Sequence, residues 1–286
     1  ALGVRCPGAL ATLISIAIKD AKGSKGRFDR FLEETFGIAS LSREIAGLLQ
    51  EPPSPCSSSR WPEAPPEVFP FANMGTDGVY YGLVVHAPEL DLPDMPVAQV
   101  DPMEESCPVV SYLGRDMTQA LDALMSYELY EGDDDDEAWE SDGDTEMDRR
   151  ERLLIEALEL KPTAKKAQAM FTLTPRDIPL LSSPPSGWNY VRTSDDVGVL
   201  AESRHFRPRR RVTAPGDQLE LLRLVEADLR EGYPASALVR LREWCWGTPP
   251  TGYPKDVAPY LIRAYEALNR PSLAQVCARM SEEFGA

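Results

Sequence analysis

The sequence predicts an α+β protein, in which helices flank a strand-rich segment and a mainly helical domain follows. Residues 79–86 carry the β-branched and aromatic side chains typical of a strand and follow a tight turn at residues 76–78. Apolar residues at helical spacing flank this segment, and the last seventy residues divide into four helical stretches. We therefore expect an α+β domain over residues 1–130, a linker over 131–148 and a helical domain over 149–286.

The N-terminal segment predicts amphipathic helices followed by a proline-rich loop. The apolar run at residues 9–18 is too short to cross a bilayer, so it indicates the buried face of a first helix over residues 9–22. Two further groups of apolar residues recur at the spacing of one helix face. They are Phe28, Phe31, Leu32 and Phe36, followed by Leu41, Ile45, Leu48 and Leu49. Residues 51–67 are rich in Pro and Ser and predict a loop.

The strand-rich segment continues with two short runs typical of strands, at residues 97–100 and 109–114. Pro88, Pro93 and Pro96 break the chain between the strand at 79–86 and the first of these runs. Asp116 is placed to cap a following helix over residues 116–127.

An acidic run over residues 131–148 holds 11 acidic residues and no basic one. Such a block repels itself, which predicts a solvated linker. The alternative is a calcium loop. Its required pattern fails because the ligand positions before Gly143 hold Ala138, Glu140 and Asp142.

The first part of the C-terminal half mixes helical and irregular segments. Residues 149–172 have helical spacing, and residues 173–216 are proline-rich and irregular. A hairpin is predicted within them, with strands at 188–192 and 197–201 around residues 194–196. Arginines at 204, 207 and 209–211 form a basic tract. This tract is either an anion or acidic-peptide site, or a solvated loop or internal counter-charge, and we favour the second interpretation.

The last seventy residues contain two similar helical hairpins. The predicted helices cover residues 219–233, 235–246, 257–269 and 272–284, and an offset of 37 aligns the first pair with the second. Gly232 then aligns with Asn269, and Pro234 with Pro271. Gly or Asn suits a helix end, and Pro suits the first turn of the next helix. The pattern resembles a degenerate tetratricopeptide-type repeat, and a generic pair of helical hairpins is the alternative.

No residue pattern in the chain predicts catalysis or metal binding. The sequence has no nucleophile-elbow, zinc-protease, Walker or dinucleotide motif, and its two histidines, His86 and His205, are far apart. None of the five cysteines has C-x-x-C spacing, which indicates neither a zinc site nor a disulfide framework. We therefore expect a protein of the reducing cytoplasm that is not an enzyme and takes no metal or cofactor.

The net charge of −16 argues against direct binding to nucleic acid, because phosphate contacts need clustered Lys and Arg. It is compatible with a basic protein partner, whose association a negative field would accelerate. The alternative explanation of the charge is solubility alone.

A series of turn and strand motifs runs in order through residues 25–130. Its residues are Phe31, Leu32, Gly37, Phe71, Ala72, Gly75, Asp77, Gly78, Tyr80, Tyr81, Gly82, Leu83, Pro96, Val97 and Asp101, with a closing helix from Asp116 to Tyr127. This order resembles the SUKH superfamily, also called the Smi1/Knr4 family. The resemblance implies a mostly antiparallel sheet flanked by helices and no catalytic residues. It also implies kinship with bacterial immunity proteins, which bind and neutralise a cognate toxin, often a nuclease or deaminase. The long loop at 51–67 and the C-terminal half depart from the family.

Two functions follow from these patterns. The first is a non-enzymatic immunity-type protein that occludes a basic toxin, such as a nuclease, with the rim or face of its sheet. The residues expected to contact the partner are Asp77, Tyr80, Tyr81, Glu89, Asp91 and Asp94. The second is a cytoplasmic scaffold or regulator whose helical hairpins at residues 217–284 bind a peptide or protein.

Overall fold

The computed structural model describes residues 6–21, 36, 40–41, 64–73, 79–101, 109–130, 146–170, 172–208, 216–247 and 256–284. Within these ranges the chain is an α+β protein, with an antiparallel sheet and helices followed by a mainly helical C-terminal region. This architecture confirms the predicted fold class.

The sheet is a meander in which each strand pairs antiparallel with the next one in the chain. Its strands are β1 Ser40–Leu41, β2 Val68–Asn73, β3 Tyr80–Val84, β4 Val97–Asp101 and β5 Val109–Gly114. The sequence predicted β3, β4 and β5. It missed β2, whose Pro70 lies at a register shift in the pairing with β3. It also placed Leu41 in a helix, whereas Leu41 pairs with Ala72 in the sheet.

Both faces of the sheet are buried. Successive side chains of a strand point to opposite faces, and every residue of β3 is buried. Tyr81 and Leu83 lie in a core with the first helices, α1 Gly8–Ala21 and α2 Met117–Tyr130. Tyr80 and Val84 lie in a second core on the other face. The predicted first helix is confirmed. The other predicted N-terminal helical residues lie outside the described part, apart from Leu41 and Phe36, which is buried.

Asp116 and Asp122 fix helix α2 to its neighbours. Oδ1 of Asp116 accepts a hydrogen bond from the backbone N–H of Gln119 at 2.8 Å, which is the predicted N-cap. Asp122, nearly buried, accepts from the backbone N–H of Lys161 at 2.8 Å and forms an ion pair with Lys166. These contacts bring the chain back to α2 after helix α3 Glu146–Ala157 and place helix α4 Ala164–Gln168 against it. Residues 146–148 of the predicted linker therefore begin α3, and residues 131–145 lie outside the described part.

The second half covers the far face of the sheet with a hairpin and then with helices. A short helix, α5 Pro179–Ser182, precedes the predicted hairpin, whose strands are β6 Trp188–Val191 and β7 Val199–Glu202. Leu200 packs in the core between hairpin and sheet, whereas Val199 and Ala201 belong to the core shared with the last helices. Those helices are α6 Gln218–Arg230, α7 Pro234–Gly247, α8 Ala258–Ala267 and α9 Pro271–Phe284.

The turns of the two helical hairpins match as the 37-residue offset predicts. Gly232 and Asn269 both have left-handed backbones, with φ of 83° and 59°, and Pro234 and Pro271 each begin the next helix. The residue with the left-handed backbone ends the first helix of each pair. Proline is tolerated at the start of the next helix, because a backbone N–H in the first turn has no partner within the helix. Helices α6 to α9 thus form two hairpins with equivalent turns.

Gly232→Ala is expected to lower the free energy of unfolding by about 1–2 kcal/mol, the cost of a left-handed backbone for an L residue. A Cβ at Gly232 would meet nothing within 4 Å, so the loss is conformational and not steric. Urea denaturation followed by circular dichroism measures it. The control is Gly216→Ala, where a Cβ is equally uncrowded and the backbone is not in the left-handed region. Equal effects of the two substitutions would contradict the role of the turn.

One continuous core joins the predicted domains. The same cluster of buried apolar side chains contains Leu13 of α1, Leu83 of the sheet, Val199 of the hairpin and Leu241 of α7. The predicted division of the chain into domains at residues 130 and 149 stays a prediction. In the described residues, the two halves share this core.

Candidate functional site

A fully enclosed arginine, Arg242 of α7, lies where the helical half meets the sheet. Its Nε and Nη2 atoms lie 2.7 and 2.6 Å from Oδ2 of Asp195, and its Nη1 lies 2.6 Å from Oε1 of Glu67. The Tyr265 hydroxyl donates to the same Glu67 oxygen at 2.8 Å. Burial opposes the charge of Arg242, but Asp195 and Glu67 outweigh burial and raise its pKa above the usual value. One guanidinium therefore joins α7, the hairpin and the segment before β2.

Asp195 also organises the tip of the hairpin. Its Oδ1 atom accepts from the Thr193 hydroxyl at 2.6 Å and from the backbone N–H groups of Val197 and Gly198 at 3.0 and 3.2 Å. Both carboxylate oxygens of this buried side chain thus accept hydrogen bonds.

His86 lies beside this junction and is buried. Burial, followed by the positive charges of Arg242 and Arg270, lowers the pKa of His86 to about 3. Its Nε2 atom lies 3.3 Å from the Tyr112 hydroxyl, and its ring meets Tyr190 edge-on at 6.3 Å between centroids. His86 is therefore a neutral packing residue at physiological pH, which does not suit proton transfer there.

A second buried arginine, Arg270, holds a loop of the first half. Its Nε lies 3.0 and 3.1 Å from the two carboxylate oxygens of Glu89, and its Nη2 lies 2.7 Å from Oε1. Nη2 also donates to the carbonyl oxygen of Leu200 at 2.6 Å. Arg270 follows the turn between α8 and α9, whereas Glu89 lies in a 3₁₀ turn, Pro88–Leu90, between β3 and β4. This pair fixes the β3–β4 loop to the helical hairpins.

Asp228 of α6 lies at the centre of a third ionic group. Its Oδ2 is 2.8 Å from Nε of Arg240, and its Oδ1 is 2.7 Å from Nε of Arg207. Arg207 also pairs with Glu231 at 2.8 Å, and its backbone N–H donates to the Ser236 hydroxyl at 2.8 Å.

These contacts bear on the predicted basic tract. Arg207 has the internal carboxylate partners Asp228 and Glu231, while Arg204 pairs with Glu202. The structure therefore gives both arginines counter-ions within the second half of the chain. Residues 209–211 lie outside the described ranges.

A cleft of about 230 Å³ opens beside the Arg270–Glu89 pair. Its apolar part consists of Ala201, Ala267 and Leu268. Five polar side chains complete the lining: Glu89, Glu202, Arg204, His205 and Asn269. Burial and the adjacent Arg204 lower the pKa of His205, so this imidazole is mainly neutral at pH 7. The cleft brings Glu89 together with residues of the second half that the sequence did not connect with it.

The structure separates the six predicted contact residues. Tyr80 and Tyr81 are each 1% exposed and face opposite cores, so neither can touch a partner in the folded chain. Alternation along a strand explains this, since both sheet faces are covered. Asp77 lies outside the described residues, and Glu89 is paired with Arg270 as described above.

Asp91 and Asp94 have different roles in the β3–β4 loop. Asp91 is exposed and adopts a left-handed backbone with φ of 44° after the 3₁₀ turn. Asp94 turns inward, and its Oδ1 accepts from the backbone N–H groups of Met95 at 2.9 Å and Met117 at 3.3 Å. Asp94 thus positions the loop, and Asp91 lies at the exposed surface of the loop.

Sequence reasoning missed Arg242 and Arg270 as the residues that connect the halves. The available signal was their setting: Arg242 interrupts the apolar face of a helix, and Arg270 stands directly before a helix-initiating proline. The sequence around each arginine does not identify its partner, because Glu67 and Glu89 are far away in the chain.

Comparisons with known proteins assign no family to the chain. No protein-family model matches it, and no curated protein matches it significantly. Within the described ranges, no three His, Cys, Asp or Glu side chains are grouped so that they could hold a metal ion. The same ranges contain no helix that is long and apolar enough to span a membrane.

Proposed function

We propose that this chain is a non-enzymatic protein-binding module of the immunity type, related to the SUKH superfamily, which neutralises a basic toxin by covering its surface. The observation that carries the proposal is the preorganised acidic loop between β3 and β4. Arg270 holds Glu89, and the backbone N–H groups of Met95 and Met117 hold Asp94. A loop fixed before binding loses little conformational freedom on association, and this favours affinity.

Charge supports the same choice of partner. The loop presents the exposed Asp91, and the whole chain carries a net charge of −16. A negative field attracts a basic protein and accelerates the encounter. The mechanism is occlusion: the loop and adjoining surface pack against the toxin and block access to its substrate, with no chemical step.

Co-expression tests the proposal. The chain is produced together with the candidate toxin domain encoded beside its own gene, and survival and complex formation on size exclusion are measured. Survival with a stable complex supports the proposal. If the chain neither protects the cells nor forms a complex with the toxin, the proposal is wrong.

Asp91→Lys is expected to slow association with that toxin roughly tenfold at low salt, because mutants of one interface differ in association rate by about one to three decades. Surface plasmon resonance at two salt concentrations measures the rate. The control is Glu156→Lys, an equal charge change at an exposed residue of α3. If both variants slow association equally, net charge acts without any contact at the loop.

The scaffold function remains the second hypothesis. Helix α7 is largely buried between α6, α8 and strand β7, whereas α6 carries Leu219 with 78% of its surface exposed. A partner-binding face would therefore involve α6. Leu219→Ser in the full chain tests this hypothesis, since it would weaken capture of a scaffold partner and leave toxin binding unchanged.

A further inference from the structure

We propose that the cleft between the β3–β4 loop and the α8–α9 turn is a socket for one guanidinium side chain, an arginine of the basic partner. This inference deepens the proposed function and rests on it for the identity of the partner. The cleft volume of about 230 Å³ lies below the roughly 300–1,000 Å³ usual for drug-sized ligands. A single long side chain is the better match in size.

The lining suits a side chain with an apolar stem and a charged planar head. Ala201, Ala267 and Leu268 provide apolar contact for the methylene groups of an arginine. The carboxylates of Glu89 and Glu202 provide acceptors for its N–H groups, because guanidinium geometry matches carboxylates.

Internal contacts already show that both carboxylates accept guanidinium groups. Buried Arg270 binds Glu89 from the interior, and Arg204 binds Glu202 from the rim at 2.7 Å. The two pairs differ in how easily they can be exchanged. Arg270 is fully buried, so it stays in place and holds Glu89 at the cleft.

Arg204 is the exchangeable member. Its side chain is 72% exposed and that of Glu202 is 44% exposed, so this ion pair contributes little to stability. An incoming arginine can take Glu202 from Arg204 at small cost. The neutral state of His205 and the net charge of −16 favour a cation over an anion in the cleft.

The cation and anion alternatives predict opposite effects of Arg204→Ala. If the cleft takes a guanidinium, removing Arg204 removes a competitor, and affinity rises about two- to fivefold. If the cleft takes an anion, the same change removes a binding group and affinity falls. Glu202→Gln is expected to weaken guanidinium binding at least fivefold, because a charge-assisted bond is replaced by a neutral one.

The experiment uses the full-length chain and the probe Nα-acetyl-L-arginine amide, titrated by NMR with the amide signals of Ala201, Ala267 and Leu268 as reporters. Nα-acetyl-L-glutamate amide is the anionic probe, and Glu220→Gln, at an exposed residue of α6, is the matched control. Saturable shifts at the cleft, tightened by Arg204→Ala, weakened by Glu202→Gln and unaffected by Glu220→Gln, support the socket. Shifts spread over the acidic surface, or preference for the anionic probe, overturn it.

This outcome is separable from that of the proposed function. A cleft that binds the probe in a chain that protects against no toxin leaves the socket standing and removes the immunity role. Protection that is unchanged in Glu202→Gln, with no probe binding, leaves the immunity role standing and removes the socket.

Discussion

Arg242→Met is expected to lower the free energy of unfolding by about 3–5 kcal/mol, the cost of breaking a buried ion pair on one side. Asp195 and Glu67 lie 2.6 Å from the guanidinium, and all three side chains are at most 1% exposed. Removing the cation leaves two enclosed carboxyl groups without their counter-charge. Urea denaturation followed by circular dichroism measures the loss, with Arg176→Met at an exposed arginine as control.

A rescue variant separates lost charge from lost packing. Adding Asp195→Asn and Glu67→Gln to Arg242→Met removes the uncompensated charges and is expected to recover part of the stability, because replacing a whole buried ionic group costs less than breaking it. If Arg242→Met lowers the free energy of unfolding by less than about 1 kcal/mol, as the loss of a surface ion pair would, Arg242 does not hold the two halves together.

The elements could be predicted well where local chemistry determines them. The strands β3 to β5, the Asp116 cap and the turns at Gly232 and Asn269 each follow from periodicity, side-chain capping or backbone freedom within a few residues. β2 was missed because it contains Pro70 at an irregular pairing, and Leu41 was misplaced because a two-residue strand has no period.

The candidate site could be predicted only in part, because its groups are distant in the chain. Glu89 was identified as a contact residue from its charge, but its partner Arg270 is 181 positions away. Tyr80 and Tyr81 suggested an aromatic contact surface, yet alternation along β3 cannot reveal that both sheet faces are covered. What covers the second face is the β6–β7 hairpin, and pairing between distant segments leaves no local signal.

The buried ions also hold together the two halves, which the sequence separates by composition. Arg242 and Tyr265 come from the helices and Glu67 from the segment before β2, so removing either half leaves ionised or polar groups without partners. The same holds for Glu89 and Arg270. In the described residues, buried ion pairs thus join the two halves.

Because buried contacts join the two halves, we expect them to stay associated after the chain is cut between them. A glutamate-specific protease should cut within the acidic linker predicted at residues 131–148, and the two pieces should stay together as one particle on size exclusion, with native circular dichroism.

Residues 1–130 expressed alone should lack a cooperative unfolding transition, because Leu83, Val84 and Glu67 then lose their neighbours from the second half. Mixing separately produced 1–130 and 146–286 pieces should restore the transition. The control is the same cut made on a chain carrying Arg242→Met, whose pieces should separate at lower urea. A 1–130 piece that unfolds cooperatively by itself would show that the shared interior is not needed for folding, and the chain would then consist of two independent domains.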